Sequence, residues 1–239
     1  MQININADLG EMAGQDEEIM PYLSSCNIAT GGHVGDIDSM QRAISLAKKH
    51  NVKIGAHPSY PDLENFGRIR TKISDEDLKE SLTHQLTTFY EIAVKNNVDV
   101  HHIKPHGALY HDVINDRNKA ELFLNVLDDL GLKTSIYTMK NEFLDQLGKK
   151  NHIIHNEAFI DRRYTIDLRL VSRKHPNALI ENPEEVWKQL YSILYLNKIN
   201  VISGEVMDIK ADTFCIHGDH PNAVKILKYI EVKLEKLKP

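Results

Sequence analysis

Apolar and polar positions change period repeatedly along this chain, and the changes mark its elements. Gln2-Ile3-Asn4-Ile5-Asn6-Ala7-Asp8 alternates with a period of two, which predicts a strand running into Asp8-Leu9-Gly10-Glu11. Short runs of strand-forming residues at 25–29, 52–56, 98–102, 133–137, 152–156, 199–202 and 213–216 predict further strands. Between them the period lengthens to that of a helix. Met40, Ala43, Ile44 and Ala47 share one face of a helix whose cap is read as Asp38. Leu78, Leu82, Leu86, Phe89 and Ala93 keep helical spacing after Ser74, with Asp77 standing where a capping box has Glu. Other helices are predicted near 117–130 with a stop at Gly131, near 140–148, and from Pro183 onward. Pro221 is read as opening the last helix, with Val224, Leu227, Ile230 and Leu234 inward.

Strand and helix therefore alternate seven or eight times, which argues an α/β fold with a mainly parallel sheet. No linker, repeat or low-complexity tract interrupts residues 1–239, so one domain is expected. Such a sheet closes as a (β/α) barrel or stays open and doubly wound. Unusual polar residues follow strands in six units: Asp8, His33, His57, His106, Glu157 and His217. A barrel gathers all its strand ends into one ring, whereas an open sheet joins only the loops at its switch point. The six units favour the barrel.

Composition alters this picture little. At 239 residues, 41% hydrophobic and 26% charged, the chain is an ordinary globular sequence of barrel size. The net charge of -5, with acids and bases interspersed, points to no nucleic acid or membrane surface. No apolar run approaches the roughly 20 residues of a membrane span. The first residues enter a strand pattern directly, so no leader is expected. Cys26 and Cys215 read as reduced core thiols, which suits the cytoplasm.

The candidate chemistry lies at the strand ends. Ile103-Lys104-Pro105-His106-Gly107 holds a lysine and a histidine around a rigid proline, and the glycine that follows lets the chain turn. His33 stands among Gly31, Gly32 and Gly35, and His57 precedes Pro58. Neutral imidazoles with a carboxylate are what a zinc-type hydrolytic site uses, so Asp8, His33 and His57 form the ligand set to test for a divalent metal. Lys104 is a candidate cation for a carboxylate, a phosphate or a developing negative charge. Glu157, Asp161, Arg162, Tyr164 and Arg173 form a second polar region, in which Arg can hold a carboxylate in two places. Phe66-Gly67-Arg68 lies in a loop that reads as a mobile lid. His217-Gly218-Asp219 precedes a helix start, a place that favours anions. No G-x-x-x-x-G-K-[ST] loop, G-x-G-x-x-G fingerprint or G-x-S-x-G elbow occurs.

These residues are similar to one family. Asn6-Ala7-Asp8-Leu9-Gly10-Glu11, 27–36 with its Gly31-Gly32-His33, and Gly55-Ala56-His57-Pro58-Ser59-Tyr60-Pro61-Asp62 resemble the LamB/YcsF family of 5-oxoprolinase A subunits. So do Phe66-Gly67-Arg68, Lys104-Pro105-His106-Gly107-Ala108-Leu109-Tyr110, Asp161-Arg162-Arg163-Tyr164 and Cys215-Ile216-His217-Gly218-Asp219. The chain departs from the family pattern at Thr30, usually Cys, at Val34, usually Ala, and at Ile69, usually a second Arg. No Gly occurs near Leu168-Arg169, where one is common.

The resemblance implies a seven-stranded (β/α) barrel and an ATP-dependent enzyme that opens 5-oxo-L-proline to L-glutamate with partner subunits B and C. The missing phosphate loop then fits an ATP site on a partner or across an interface, and a homo-oligomer is allowed. On this reading Asp8, His33, His57, Lys104 and His106 do the chemistry. Arg68, Glu157, Asp161, Arg162, His217 and Asp219 bind substrate, with Asp8, His33 and His57 around any metal. Two other classes compete: a stand-alone metal-dependent deacetylase or amidohydrolase on the same barrel, and a non-catalytic subunit that binds substrate or scaffolds its partners.

Overall fold

The computed structural model describes residues 3–12, 14–148 and 151–237. Gln2, read above as part of the first strand, lies outside the described residues. Seven parallel strands close into a barrel: β1 (Ile5–Leu9), β2 (Ser25–Ala29), β3 (Lys53–His57), β4 (Val100–Ile103), β5 (Ser135–Thr138), β6 (Ile153–Phe159) and β9 (Thr213–Ile216). β9 pairs with both β6 and β1 and completes the ring.

Around the ring lie α1 (Asp16–Ile19), α2 (Ile37–Lys49), α3 (Asp75–Lys95), α4 (Gly107–Asn115), α5 (Arg117–Asp129), α6 (Glu142–Leu147), α7 (Pro183–Tyr191) and α8 (Ala223–Glu235). Outward residues of alternate strand positions, such as Ala7, Leu9, Ile28, Ala56, Ile103, Ile136 and Ile216, meet the apolar faces of these helices in one core. No described helix is long and apolar enough to cross a membrane.

Several local expectations hold. Ser74 caps α3 by accepting from the Asp77 amide, Pro183 is the first residue of α7, and Gly131 follows α5 with a φ of 67°. Others shift. The cap of α2 is Asp36, whose side chain accepts from the Ser39 amide while the Ser39 hydroxyl receives the Asp36 amide. Asp38 instead adds its charge to the first turn, where it favours the helix dipole. α8 begins at Ala223, two residues after Pro221. The lysine-histidine turn is itself a helix start, for His106 stands at the N-cap of α4.

The apolar run 199–202 is not a barrel stave. Lys198–Asn200 (β7) pairs antiparallel with Val206–Asp208 (β8), a separate hairpin outside the barrel. Gly204, at a φ of 101°, makes its turn. The barrel therefore has seven strands, and the strand following β6 in the ring is β9.

Inward positions are strongly polar. Asn6 donates to Glu157 (3.0 Å) and to the Thr213 hydroxyl (2.8 Å). Asn27 donates to Asn6 and to Asp8, each at 2.8 Å. The His102 ring donates to the Asn27 carbonyl oxygen (2.7 Å) and stacks on Tyr137 at 3.9 Å between centroids. Gly55 makes room for that ring, since a Cβ there would lie 2.2 Å from His102 Nε2. Aliphatic layers commonly fill such barrels; here a column of bonded polar side chains fills the axis, and buried polar groups need such partners.

Candidate active site at the C-terminal mouth of the barrel

Asp8 is the penultimate residue of β1, His57 the last of β3, and Lys104 immediately follows β4. Glu157 lies within β6, two residues before its end, so it points into the axis below the mouth. These positions bring Asp8, Lys104 and Glu157 together in the floor. Lys104 Nζ donates to Asp8 Oδ1 (2.8 Å), stands 3.0 Å from Glu157 Oε1, and lies 3.2 Å from Cys215 Sγ. The Tyr110 hydroxyl donates to the other Glu157 oxygen at 3.0 Å. Burial opposes charge on Lys104, yet the facing carboxylates, Asp8 first, keep its pKa well above the ordinary lysine value. The side chain is therefore an ammonium at neutral pH.

Above the floor, acceptors converge. His57 Nδ1 lies 2.7 Å from the Lys104 carbonyl oxygen, and His106 Nε2 lies 3.0 Å from the Phe66 carbonyl oxygen. A carbonyl only accepts, so each of those ring nitrogens carries the hydrogen. That leaves His57 Nε2 and His106 Nδ1 bare in the neutral rings, 2.9 Å apart. Asp8 Oδ2 is 3.5 Å from His57 Nε2, and Glu11 Oε1 is 3.2 Å from His106 Nδ1. Ligand atoms of Asp8, Glu11, His57 and His106 all fall within 4.8 Å of one another. Four acceptors at this spacing are stable only with a cation among them, a proton or a metal ion.

The donor set fits a metal chemically. Two imidazole nitrogens and two carboxylate oxygens suit borderline divalent ions, and each imidazole is oriented by a backbone carbonyl on its far side. Burial leaves the charge poorly balanced as well. Three carboxylates, Asp8, Glu11 and Glu157, stand in this group with one ammonium, and all four residues are buried. Burial pushes the Asp8 carboxyl up, but His57 and Lys104 outweigh it and hold it well below the usual range. For Glu11 burial is likewise overcome by His106, when a proton sits between the two, and by His33.

His33 stands behind this group. Its Nε2 lies 3.1 Å from Glu11 Oε1, and its ring stacks on His106 at 3.7 Å and 2°. Burial drives its pKa down to about 4, so the ring is neutral at pH 7 and donates to Glu11. Of the expected ligands, Asp8 and His57 lie in the converging set. Glu11 and His106 complete it, and His33 braces Glu11. The sequence already carried Glu11 three residues after Asp8. The turn that swings it back is Gly10, at a φ of 69°.

The loop expected as a mobile lid is bonded down. Phe66 accepts from His106, Gly67 accepts from the Ala108 amide, and a Cβ on Gly67 would lie 2.9 Å from His33 Cβ. From its end Arg68 reaches across the mouth to Asp219 at 2.6 Å, and Arg173 joins the same carboxylate at 3.3 Å. Burial raises the Asp219 pKa, and Arg173, His217 and Arg68 pull it lower.

Arg162 and His217 face a cavity of about 410 Å³ whose lining also includes Asp8, Glu11, His57 and Lys104. Pockets for small ligands run to about 300–1,000 Å³. Arg162 is buried, gives one guanidinium N–H to the Val171 carbonyl (2.6 Å), and keeps its Nε without a partner. Burial and then Arg173 lower its pKa from the ordinary arginine value. Asp161 is fully buried behind His217 and accepts from its backbone amide and ring. An apolar groove between α3 and the turn after α5, lined by Leu86, Tyr90 and Val94 among others, carries no such cluster.

The chain is similar to known proteins along nearly its whole length. The LamB/YcsF family model matches residues 3–238. The chain is 37% identical to the A subunit of the 5-oxoprolinase of Pyrococcus horikoshii, over 99% of this chain and 95% of that one. It is 35% identical to the A subunit of the Vibrio cholerae 5-oxoprolinase, over 98% of each. A crystal structure of the lactam utilization protein from Thermus thermophilus superposes with a TM-score of 0.89 at 31% identity, covering 99% of this chain and 97% of that one. With near-complete coverage in sequence and in structure, and the motifs assembled around one mouth, the chain belongs to the LamB/YcsF family.

Proposed function

We propose that this chain is the lactam-opening subunit of an ATP-dependent 5-oxoprolinase, working with partner subunits B and C. The reaction adds water across the cyclic amide C–N bond of 5-oxo-L-proline and yields L-glutamate. The names of the relatives support the substrate. The observation that carries the reading is the cluster of bare acceptors over a buried ammonium, which offers a base for water beside a cation for the carbonyl oxygen.

In this reading a water sits against Glu11, His57 and His106 and loses its proton to them. General bases so placed contribute about 10²–10⁴-fold. Lys104 faces the oxygen that gains negative charge, or a phosphoryl group on it. Arg162, which lines the cavity, pairs with the substrate carboxylate. Asp8, His57, Glu11 and His106 would hold a divalent ion. When bound, such an ion would acidify water and polarise the carbonyl. His33 keeps Glu11 ionised and aimed. Lactam hydrolysis is poorly favoured, which is the chemical reason for coupling it to ATP. The sequence carries no phosphate loop of its own, which supports a nucleotide site on a partner.

The same donor cluster also suits a stand-alone metal-dependent amidohydrolase, and one experiment separates the two. Glutamate release from 5-oxo-L-proline is measured for the chain alone and with partner subunits, each with and without ATP. Release only with partners and ATP supports the proposal. Release by the chain alone without ATP overturns the partner dependence, and no release in any combination overturns the substrate.

A further inference from the structure

Asp161 and His217 form a device separate from the acceptor cluster. Asp161 follows β6 by two residues, and His217 immediately follows β9. The His217 backbone amide donates to Asp161 Oδ2 at 2.9 Å, and its ring Nδ1 lies 2.9 and 3.1 Å from the two carboxylate oxygens. Burial raises the Asp161 pKa, but His217 outweighs it and brings it down to about 2, so the carboxyl is an anion. Nδ1 therefore carries hydrogen. Phe159 stacks on the imidazole at 5.2 Å and 23°. With one nitrogen tied and one face covered, Nε2 is the nitrogen left for the cavity that His217 lines.

Topology sets where that nitrogen points. In the ring β1-β2-β3-β4-β5-β6-β9, β9 stands three strands from β3 in one direction and three from β4 in the other. His217 thus sits across the mouth from His57 and His106, with Asp8 and Lys104 in the floor between. Other charged or titratable groups around it are Asp219 and His220 on its own loop, and Arg162, Arg68 and Arg173 from facing loops.

We infer that His217 is the proton donor to the ring nitrogen, with Asp161 as its positioning residue. The inference rests on the lactam reading above. Water oxygen bonds to the carbonyl carbon, and its proton goes to the acceptor cluster. The C–N bond breaks as its nitrogen, which keeps the electron pair, takes the Nε2 proton of the doubly protonated His217 ring. The acceptor cluster releases its proton to solvent and solvent restores one to the imidazole, so protons balance over a turnover. Whether the carbonyl oxygen is free or phosphorylated, the nitrogen needs this proton before it departs. Removal on one side of the mouth and delivery on the other keep the two transfers from cancelling.

The test uses the full complex with ATP, the variants His217→Asn and Asp161→Asn, and two rings: 5-oxo-L-proline and its oxygen analogue, the lactone carboxylate. An alkoxide leaves without prior protonation. His217→Asn should lower kcat on the lactam by about 10²–10⁴-fold and on the lactone by less than about tenfold. Asp161→Asn should move the alkaline limb of the kcat profile to lower pH, because the imidazolium loses its carboxylate. Equal losses on both rings in a variant that melts like wild type would make His217 a binding residue only and overturn the inference. So would an alkaline limb unmoved in Asp161→Asn. A wild-type complex inert toward the lactam would remove the substrate reading and this role together.

Discussion

Replacing Lys104 by Met keeps the length of the side chain and deletes its charge. Lys104 is 1% exposed and touches both Asp8 and Glu157, so the substitution strands two buried carboxylates. Breaking a buried pair by removing one partner costs about 3–5 kcal/mol. For a chain of this size that is a fall in Tm of about 6–20 °C. The dependence on pH follows from Asp8. Burial raises its pKa, while His57 and Lys104 lower it further than burial raises it. A carboxyl depressed in the folded state adds stability above its unfolded pKa and loses it as pH falls through the folded value. Without Lys104 the folded pKa of Asp8 rises. The deficit of the variant is then largest at neutral pH and shrinks as pH falls to about 4, near the ordinary aspartate value. Urea unfolding of both proteins at pH 7 and at pH 4.5 measures it. Adding Glu157→Gln removes one stranded charge and should recover part of the loss. A deficit under about 1 kcal/mol at pH 7, or one equal at both pH values, would refute the claim that this ammonium balances the floor.

Four other outcomes are expected. Gly55→Ala should cost about 1–3 kcal/mol by crowding His102, and clearly less in a His102→Ala background; equal costs in both would show that the ring is not the obstacle. After chelation, the chain should take up about one divalent ion, with a stability gain near 2.7 kcal/mol at a hundred times Kd. Titration calorimetry on wild type and on His57→Ala with Glu11→Gln checks this, and uptake unchanged in the double variant counts against the four-residue site. His33, buried and neutral with a pKa near 4, should make the protein lose up to about 3 kcal/mol as pH falls from 6.5 to 4, because the unfolded chain binds the proton first. The loss should be much reduced in His33→Asn. Arg162→Ala should raise KM for 5-oxo-L-proline more than for 2-pyrrolidinone, which lacks the carboxylate; equal effects would argue against the ion pair.

Much of the fold was legible because parallel strands announce themselves twice, by short apolar runs and by the polar residues that end them. Asp8, His57 and His106 were found in that way. The run 199–202 was misread because a short apolar stretch carries no sign of its partner, and β8 lies only a few residues on. Glu157 was placed past its strand, although β6 continues through Phe159, because the change to polar residues resembles a strand end. Asp36 and Asp38 are equally good caps by composition, and only the reciprocal bond with Ser39 chooses between them. The place of Glu11 in the cluster depends on a left-handed glycine, and the need for Gly55 depends on a histidine from the neighbouring strand. Such facts belong to contacts between distant residues, which periodicity does not encode.

The bonded polar column along the barrel axis links chemistry to correct assembly. Sliding any one strand by a single residue would turn its inward set outward. For β1 that would put Ala7 and Leu9 on the axis and leave Asn27, Lys104 and Glu157 without Asn6 and Asp8. A misregistered barrel would thus bury unpaired charge, whereas an aliphatic axis would tolerate the slip more cheaply. The residues proposed to open the substrate also serve as the chain's proofreading of its own strand alignment, so folding errors and dead sites are removed together.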